Sequence, residues 1–368
     1  MEAIDRRARL LRLLVTAVLV LAALFVASRA VVSDIGIYRQ YAAGFVLRGT
    51  FPREYPPLAL VPMLLARGVG QVLHLDYTRA WLLLAAAMLY ALALVIGRPT
   101  VLVALLPLAS PLLGTYDIWP ILCLVLSYRL LPRRPGLSWF LLGVAIALKL
   151  FPILFIPLWW QTTRRGVGWL LLPLVTFYPP AMASVVHYQF ARQAEWESTV
   201  SLLSWLFTPT GMVLRHAFGS MEYYAAWSGR LSLVLEGAYA VLFVWIAFLL
   251  RELGLMRRML LLLSLWFLTN KVLSVQYVFW VVCLAYAEGQ DLYAFGLLAW
   301  VTAFLYPWFT AIDQGAMTLF HLPGSLTAAL RLAMTLVAVR FVLWIGIVAR
   351  LLRRPASAAA QPAIDSSG

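Results

Sequence analysis

The chain is predicted to be an all-α polytopic membrane protein, a bundle of about ten to twelve transmembrane helices. Three observations carry that expectation. Of its 368 residues 63% are hydrophobic, and the mean hydropathy is +0.88, well above ordinary soluble domains. Apolar runs near the length of one membrane crossing recur along the chain, with no long strand-type alternation, so helices and not a barrel are expected to cross the bilayer. The arginines fall mainly in short loops between those runs, where they orient spans relative to the cytoplasm. That placement turns the net charge of +14 away from nucleic acid. Cys123 and Cys283 both lie in apolar stretches; they offer no disulfide framework and no metal-ligand spacing, and read as small core side chains.

The basic loops anchor the threading. The start, "MEAIDRRARLLRLL", is read as a retained first span, not a cleaved signal peptide, and Arg6, Arg7, Arg9 and Arg12 place it in the cytoplasm. Residues 97–100, 129–136, 162–166, 251–259 and 350–354 are assigned to the same side. Every segment between two such anchors must cross an even number of times. Span 1 (11–30) exits and span 2 (79–96) returns, which leaves 31–78 as a first extracytoplasmic loop. Residues 57–73 are apolar enough to look like a span, but a true span there would invert the later basic loops. They are expected to lie at the interface, with Pro56 suited to the first turn. Tyr38, Tyr41, Ala42 and Phe45 fall close to one helical face and predict a second interfacial helix before it.

Two short spans joined by "GTYDIWP" (114–120) come next. The segment before "TTRRG" is too short for two full spans, so two broken helices meeting at Lys149, Phe151 and Pro152 are expected. Span 7 (166–186) leads to a second long extracytoplasmic segment, 187–230. Span 8 (231–250) returns, spans 9 and 10 flank "NKVLSVQYVFW" (270–280), and spans 11 and 12 complete a single domain over 1–354. Residues 355–368 are expected to be a disordered cytoplasmic tail. No internal repeat of the transporter kind is visible.

This threading sorts the charges. Lys149 and Lys271 are the only lysines, and both interrupt apolar segments at the outer level. Asp34, Glu54 and Asp117 land on that side, and Glu195 and Glu197 belong to the second outer segment. Ionisable groups near helix ends are costly without a partner or a wet cavity. Arg29, Arg67, Arg79, Arg230 and Arg331 are read as snorkelling or paired side chains, and Asp76, Glu288, Asp291 and Asp313 as loop charges. The combination of Asp34, Asp117, Lys149 and Lys271 is read as functional. A carboxylate there can act as a general base toward a hydroxyl, and nearby cations can neutralise a phosphate. A substrate with a lipid tail, a phosphate and a reacting sugar fits that set.

The stretches "DIGIYRQYAAGFVLRG" with "EYPPLAL", then "EWEST", "GVAIALKLFPILFIPLWW" and "NKVLSVQYVFW", together resemble GT-C glycosyltransferases, especially glycosyltransferase family 87, over about residues 11 to 285. One departure is Val275, where that pattern often has proline. The resemblance implies a GT-C-type bundle and a hexosyltransferase using a polyprenyl-phosphate-linked sugar, commonly mannose. It implies transfer to a glycan or glycolipid acceptor on the extracytoplasmic face of the cell membrane; with one base and no covalent intermediate the anomeric configuration should invert, by analogy with glycosidases. Asp34 maps onto the catalytic base. Lys149, Lys271 and Arg53 would stabilise the leaving phosphate, and Glu54, Asp117 and Gln276 would position sugar hydroxyls. Tyr55 and Trp119 would stack on a sugar ring or belong to the interfacial aromatic belt. With no dense acidic cluster, neither a metal nor a cofactor is expected, and the partners are the lipid bilayer, donor and acceptor, not nucleic acid. The alternatives are a transporter or flippase of lipid-linked sugars, and a non-catalytic envelope assembly subunit.

Overall fold

A computed structural model describes residues 2–29, 33–207, 213–217, 220–224, 227–313 and 323–353; the tail assigned to 355–368 lies outside them. Helix α1 (Glu2–Arg29) is followed by α2 (Ser33–Arg48). A short 3₁₀ turn, Pro57–Ala59, then runs into α3 (Leu60–Val72). Both helices expected in the first loop are therefore present. Gly49, at φ +67°, turns the chain after α2, a conformation that favours glycine. Pro56 precedes the 3₁₀ turn and Pro57 opens it, where no N–H is needed. Helix α4 (Tyr77–Ile96) is capped by Asp76, whose carboxylate accepts from the Arg79 N–H, and ended by Gly97 in the left-handed conformation.

Broken helices follow. α5 (Thr100–Leu105) and α6 (Ala109–Gly114) lead to α7 (Ile118–Leu130) through a 120° bend at the predicted "GTYDIWP" turn. α8 (Pro135–Leu148) ends one residue before Lys149; a 3₁₀ turn (Phe151–Phe155) and α9 (Ile156–Thr162) follow. α7 and α8 form a close antiparallel hairpin. Each serine hydroxyl of Ser127 and Ser138 donates to the other residue's carbonyl at 2.7 Å, and Trp159 Nε1 donates to Ser138 Oγ at 2.9 Å. Small side chains let the backbones approach, and every polar atom in the knot is used.

The span expected over 166–186 is not one continuous helix. A 3₁₀ turn (Val167–Leu170) and α10 (Leu171–Leu174) meet α11 (Pro179–Ala191) at 88°. The cause is Pro179–Pro180: a residue before proline is pushed out of the α region, and Tyr178 sits extended at φ −67°, ψ 118°. The second outer segment also departs from an all-helical reading. β1 (Ala194–Glu195), α12 (Thr199–Phe207), β2 (Val213–Ala217) and β3 (Ser220–Tyr224) build an antiparallel three-stranded sheet of order β1-β3-β2. α13 (Ser228–Val244), α14 (Leu255–Thr269), α15 (Val278–Glu288), α16 (Leu292–Asp313) and α17 (Pro323–Arg353) complete the chain.

Among the described residues, four helical stretches are long and apolar enough to cross a membrane: 6–29, 77–96, 228–249 and 331–353. Counting each bent pair as one span raises the number to six, and four shorter apolar helices accompany them among the described residues. The expected ten to twelve spans are thus not all continuous full-length helices; proline and polar breaks shorten the rest. On α1 and α13 large apolar side chains stay outside the protein core, such as Phe25 at 61% and Val241 at 72% exposure, as lipid contact would require.

Three helices share one arginine-rich end. Arg129 donates to the Ile96 carbonyl at 3.1 Å and the Ala287 carbonyl at 2.6 Å, so it caps the C-termini of α4 and α15 from the last turn of α7. Beside it Tyr128 donates to Glu288 at 2.6 Å. The opposite ends of these helices carry Trp81, Asp117 and Tyr277, and there the polar cavity lies.

Candidate functional site

The cavity has a volume of about 790 Å³. Asp34, Glu54 and Tyr55 line it from the first loop. Asp117 and Lys149 line it from the open end of the α7–α8 hairpin, and Lys271 and Gln276 from the segment between α14 and α15. Arg53 is exposed and does not line it.

Helix geometry explains the first pair. Asp117 sits at the N-terminus of α7 and Lys149 at the C-cap of α8, so each charge meets the helix-dipole end that favours it. Lys149 Nζ lies 2.5 Å from Asp117 Oδ1, which also accepts from Trp280 Nε1 at 2.8 Å. The ammonium is further enclosed by the rings of Tyr277 at 4.6 Å, Tyr116 at 5.3 Å and Phe151 at 6.0 Å. Asp117 and Lys149 are therefore a buried, mutually neutralised pair, not two free ligands.

Asp34 stands in the first turn of α2 and is half-buried. The Tyr38 hydroxyl donates to its Oδ2 at 3.4 Å. Tyr38 is fully enclosed by Trp81, Tyr55 and Tyr116, with ring centroids 4.7, 6.1 and 6.0 Å away. Burial first, and then the charge of Asp34, pushes its phenol well above the ordinary range, so it remains an O–H donor. Glu54 is held from two sides, by the Tyr41 hydroxyl at 2.6 Å and the Tyr188 hydroxyl at 3.0 Å.

A second charged group forms where the sheet meets the cavity. Glu195 of β1 stands directly opposite Glu222 of β3 in register, a like-charge cross-strand pair that would be unfavourable alone. Arg192 resolves it: its guanidinium pairs with Glu195 and lies 3.6 Å from Glu222. Burial lowers the Arg192 pKa, but Glu195, Tyr277, Tyr188 and Glu222 outweigh it and hold the guanidinium charged. Ser274 donates toward both Glu195 oxygens, at 3.1 and 2.9 Å. The Glu195 N–H donates to the Lys271 carbonyl at 2.9 Å, which ties this cluster to the segment bearing the second lysine. Below it, Arg340 of α17 is wholly buried and donates to Glu197 Oε2 and to the Glu197 carbonyl, both at 2.6 Å.

Lys271 is different from Lys149. Its ammonium donates to the Phe190 carbonyl at 3.2 Å, and no carboxylate is paired with it among the described residues. Half-burial lowers its pKa from the ordinary 10.5, a change that Glu236 and Glu222 partly oppose and Arg192 reinforces. The cavity lining includes Ile153, Phe190 and Leu233, which remain 51%, 76% and 69% exposed. Charged and polar groups thus share the cavity with exposed apolar side chains.

Sequence reasoning did not single out Arg192, Glu222, Tyr116 or Arg340. Ser274 and Tyr277 stood in the quoted "NKVLSVQYVFW" stretch without a role of their own. For Arg340 a signal was available, since an arginine inside "LAMTLVAVRFVLWIGIV" is costly in a membrane unless paired. Among the described residues no group of three or more His, Cys, Asp or Glu side chains could hold a metal ion. Comparison with protein-family models, curated proteins and solved structures gives no match. The resemblance to glycosyltransferase family 87 therefore stands on the quoted motifs alone.

Proposed function

We propose that this chain is a membrane glycosyltransferase of the GT-C type. In this reading it transfers a sugar, mannose in the first instance, from a polyprenyl-phosphate donor to an acceptor hydroxyl on the extracytoplasmic face, with both termini cytoplasmic. The observation that carries the reading is the cavity itself. It gathers Asp34, remote in sequence from Lys149 and Lys271, into one space shared with exposed apolar side chains. A ligand with a charged head and a hydrocarbon tail matches that division.

In the proposed step Asp34 accepts the proton of the acceptor hydroxyl. The oxygen attacks the anomeric carbon as the bond to the phosphate oxygen breaks, and the electron pair leaves on the phosphate. One displacement with no covalent intermediate inverts the anomeric centre, by analogy with inverting glycosidases. Charge growing on the phosphate falls first to Lys271, the lysine without a carboxylate partner; Lys149 is committed to Asp117 and acts through its field and by fixing the α7–α8 hairpin. Glu54 and Gln276 line the same space and are assigned to sugar hydroxyls. The test is Asp34→Asn, purified and reconstituted with radiolabelled polyprenyl-phosphate-mannose and a membrane glycolipid extract. Transfer should fall at least about a hundredfold with melting unchanged; transfer at the wild-type rate refutes the assignment.

A further inference from the structure

Elsewhere in the cavity lining, α13 carries Ser228, Ser232 and Glu236 at successive four-residue steps, which is one helical face. All three line the cavity, as do Trp266 and Asn270 of the facing segment. None of this stripe is needed for the proton transfer described above. Ser232 is 6% exposed, and its hydroxyl has no hydrogen-bond partner among the described residues. A buried hydroxyl without a partner costs free energy that a ligand atom would recover. Glu236 is a carboxylate on a helix long and apolar enough to span a membrane, and no hydrogen bond or ion pair engages it among the described residues. Its charge reaches Lys271 only as a Coulombic influence. Asn270 Oδ1 accepts from the Val272 N–H at 2.8 Å, which leaves its amide NH₂ as a donor.

The stripe therefore offers a strong acceptor, a hydroxyl able to donate or accept, and an amide donor, beside one unpaired ammonium. An anion gains from Lys271 but is repelled by Glu236. Neutral hydroxyls, each both donor and acceptor, suit every group. We propose that Ser232, Glu236 and Asn270 form a saccharide-binding wall, which reads the hydroxyls of the donor's sugar ring while Lys271 holds the adjoining phosphate. This deepens the glycosyl-transfer reading and rests on it for the word donor.

The test uses the full chain in lipid nanodiscs and two probes in calorimetric titration: farnesyl phosphate, an anion without sugar, and farnesyl phosphoryl mannose. Glu236→Gln should weaken the mannosyl probe about tenfold. It should leave farnesyl phosphate unchanged or bound more tightly, because a repelling charge is gone. Loss of general integrity would weaken both probes and could not produce that selective effect. Ser232→Ala should weaken the mannosyl probe selectively, and it keeps the proposal testable should Glu236→Gln not fold. Equal weakening of both probes, no effect on either, or no binding by the wild type overturns the wall. Sugar transfer is read separately with Asp34→Asn. Sugar-selective binding without any transfer by the wild type would sink the catalytic reading and leave the wall, and transfer with unselective binding would do the reverse.

Discussion

Asp117→Asn provides a sharp measure of how the cavity is held. The wild-type carboxylate is 1% exposed and Lys149 is 14% exposed, with 2.5 Å between them. The amide keeps the shape and a hydrogen bond to Trp280 but removes the charge. Lys149 is then a buried ammonium facing a neutral amide oxygen and three rings, with no counter-charge. Severing one partner of such a pair costs about 3–5 kcal/mol; the contacts of Lys149 with Tyr277, Tyr116 and Phe151 are present with or without the charge on residue 117 and do not offset it. For a chain of 368 residues that cost is a fall in Tm of about 4–7 °C. Asp117→Asn combined with Lys149→Met removes both charges and should restore stability to within about 1 kcal/mol of wild type. Scanning fluorimetry in nanodiscs at one fixed scan rate measures all four corners of the cycle. A single variant that melts with the wild type, or a double variant no better than the single, would show that the pair is not the buried lock described here.

Gly166→Ala should cost about 2–4 kcal/mol, since its φ is +76° and a Cβ there would lie 2.4 Å from Gly136 Cα. Gly168→Ala meets nothing within 4 Å and serves as the control; thermal melts compare the two. The pH dependence of farnesyl phosphate binding should follow Lys271. Because burial lowers its pKa below 10.5, the ammonium is present at lower pH and is lost as pH rises through a value under that figure. Affinity should fall accordingly, and Lys271→Arg should carry it to higher pH in the same titration. EDTA should leave sugar transfer unchanged in the reconstituted assay, in line with the sparse carboxylates; abolition restored by a divalent cation would contradict this.

Charge bookkeeping along the chain was enough to place two helices in the first loop, a turn at "GTYDIWP" and a break at Lys149. Each of these follows from local signals, namely basic loops, proline and an ionisable residue ending an apolar run. Asp34, Asp117, Lys149 and Lys271 could be grouped because topology alone sorts them to one level. The Asp117–Lys149 pairing was not legible, because it depends on how α7 and α8 fold back on one another. Arg192 escaped for a longer-range reason. Its partners Glu195 and Glu222 are brought opposite each other by strands of two and five residues, too short for any alternation to announce them. The 166–186 break was legible in principle from Pro179–Pro180, but an apolar run masked it.

The arginine clasp at the far pole has a mechanical meaning. Arg129 ties the ends of α4 and α15 to α7, and those three rods bring Tyr277 and Asp117 to the chamber lining and Trp81 behind Tyr38. Removing this one guanidinium would loosen the far ends of all three rods together, although their packing along the bundle remains. Small angular play at the clasp, multiplied along the length of each rod, would blur the spacing of groups that Arg129 never touches.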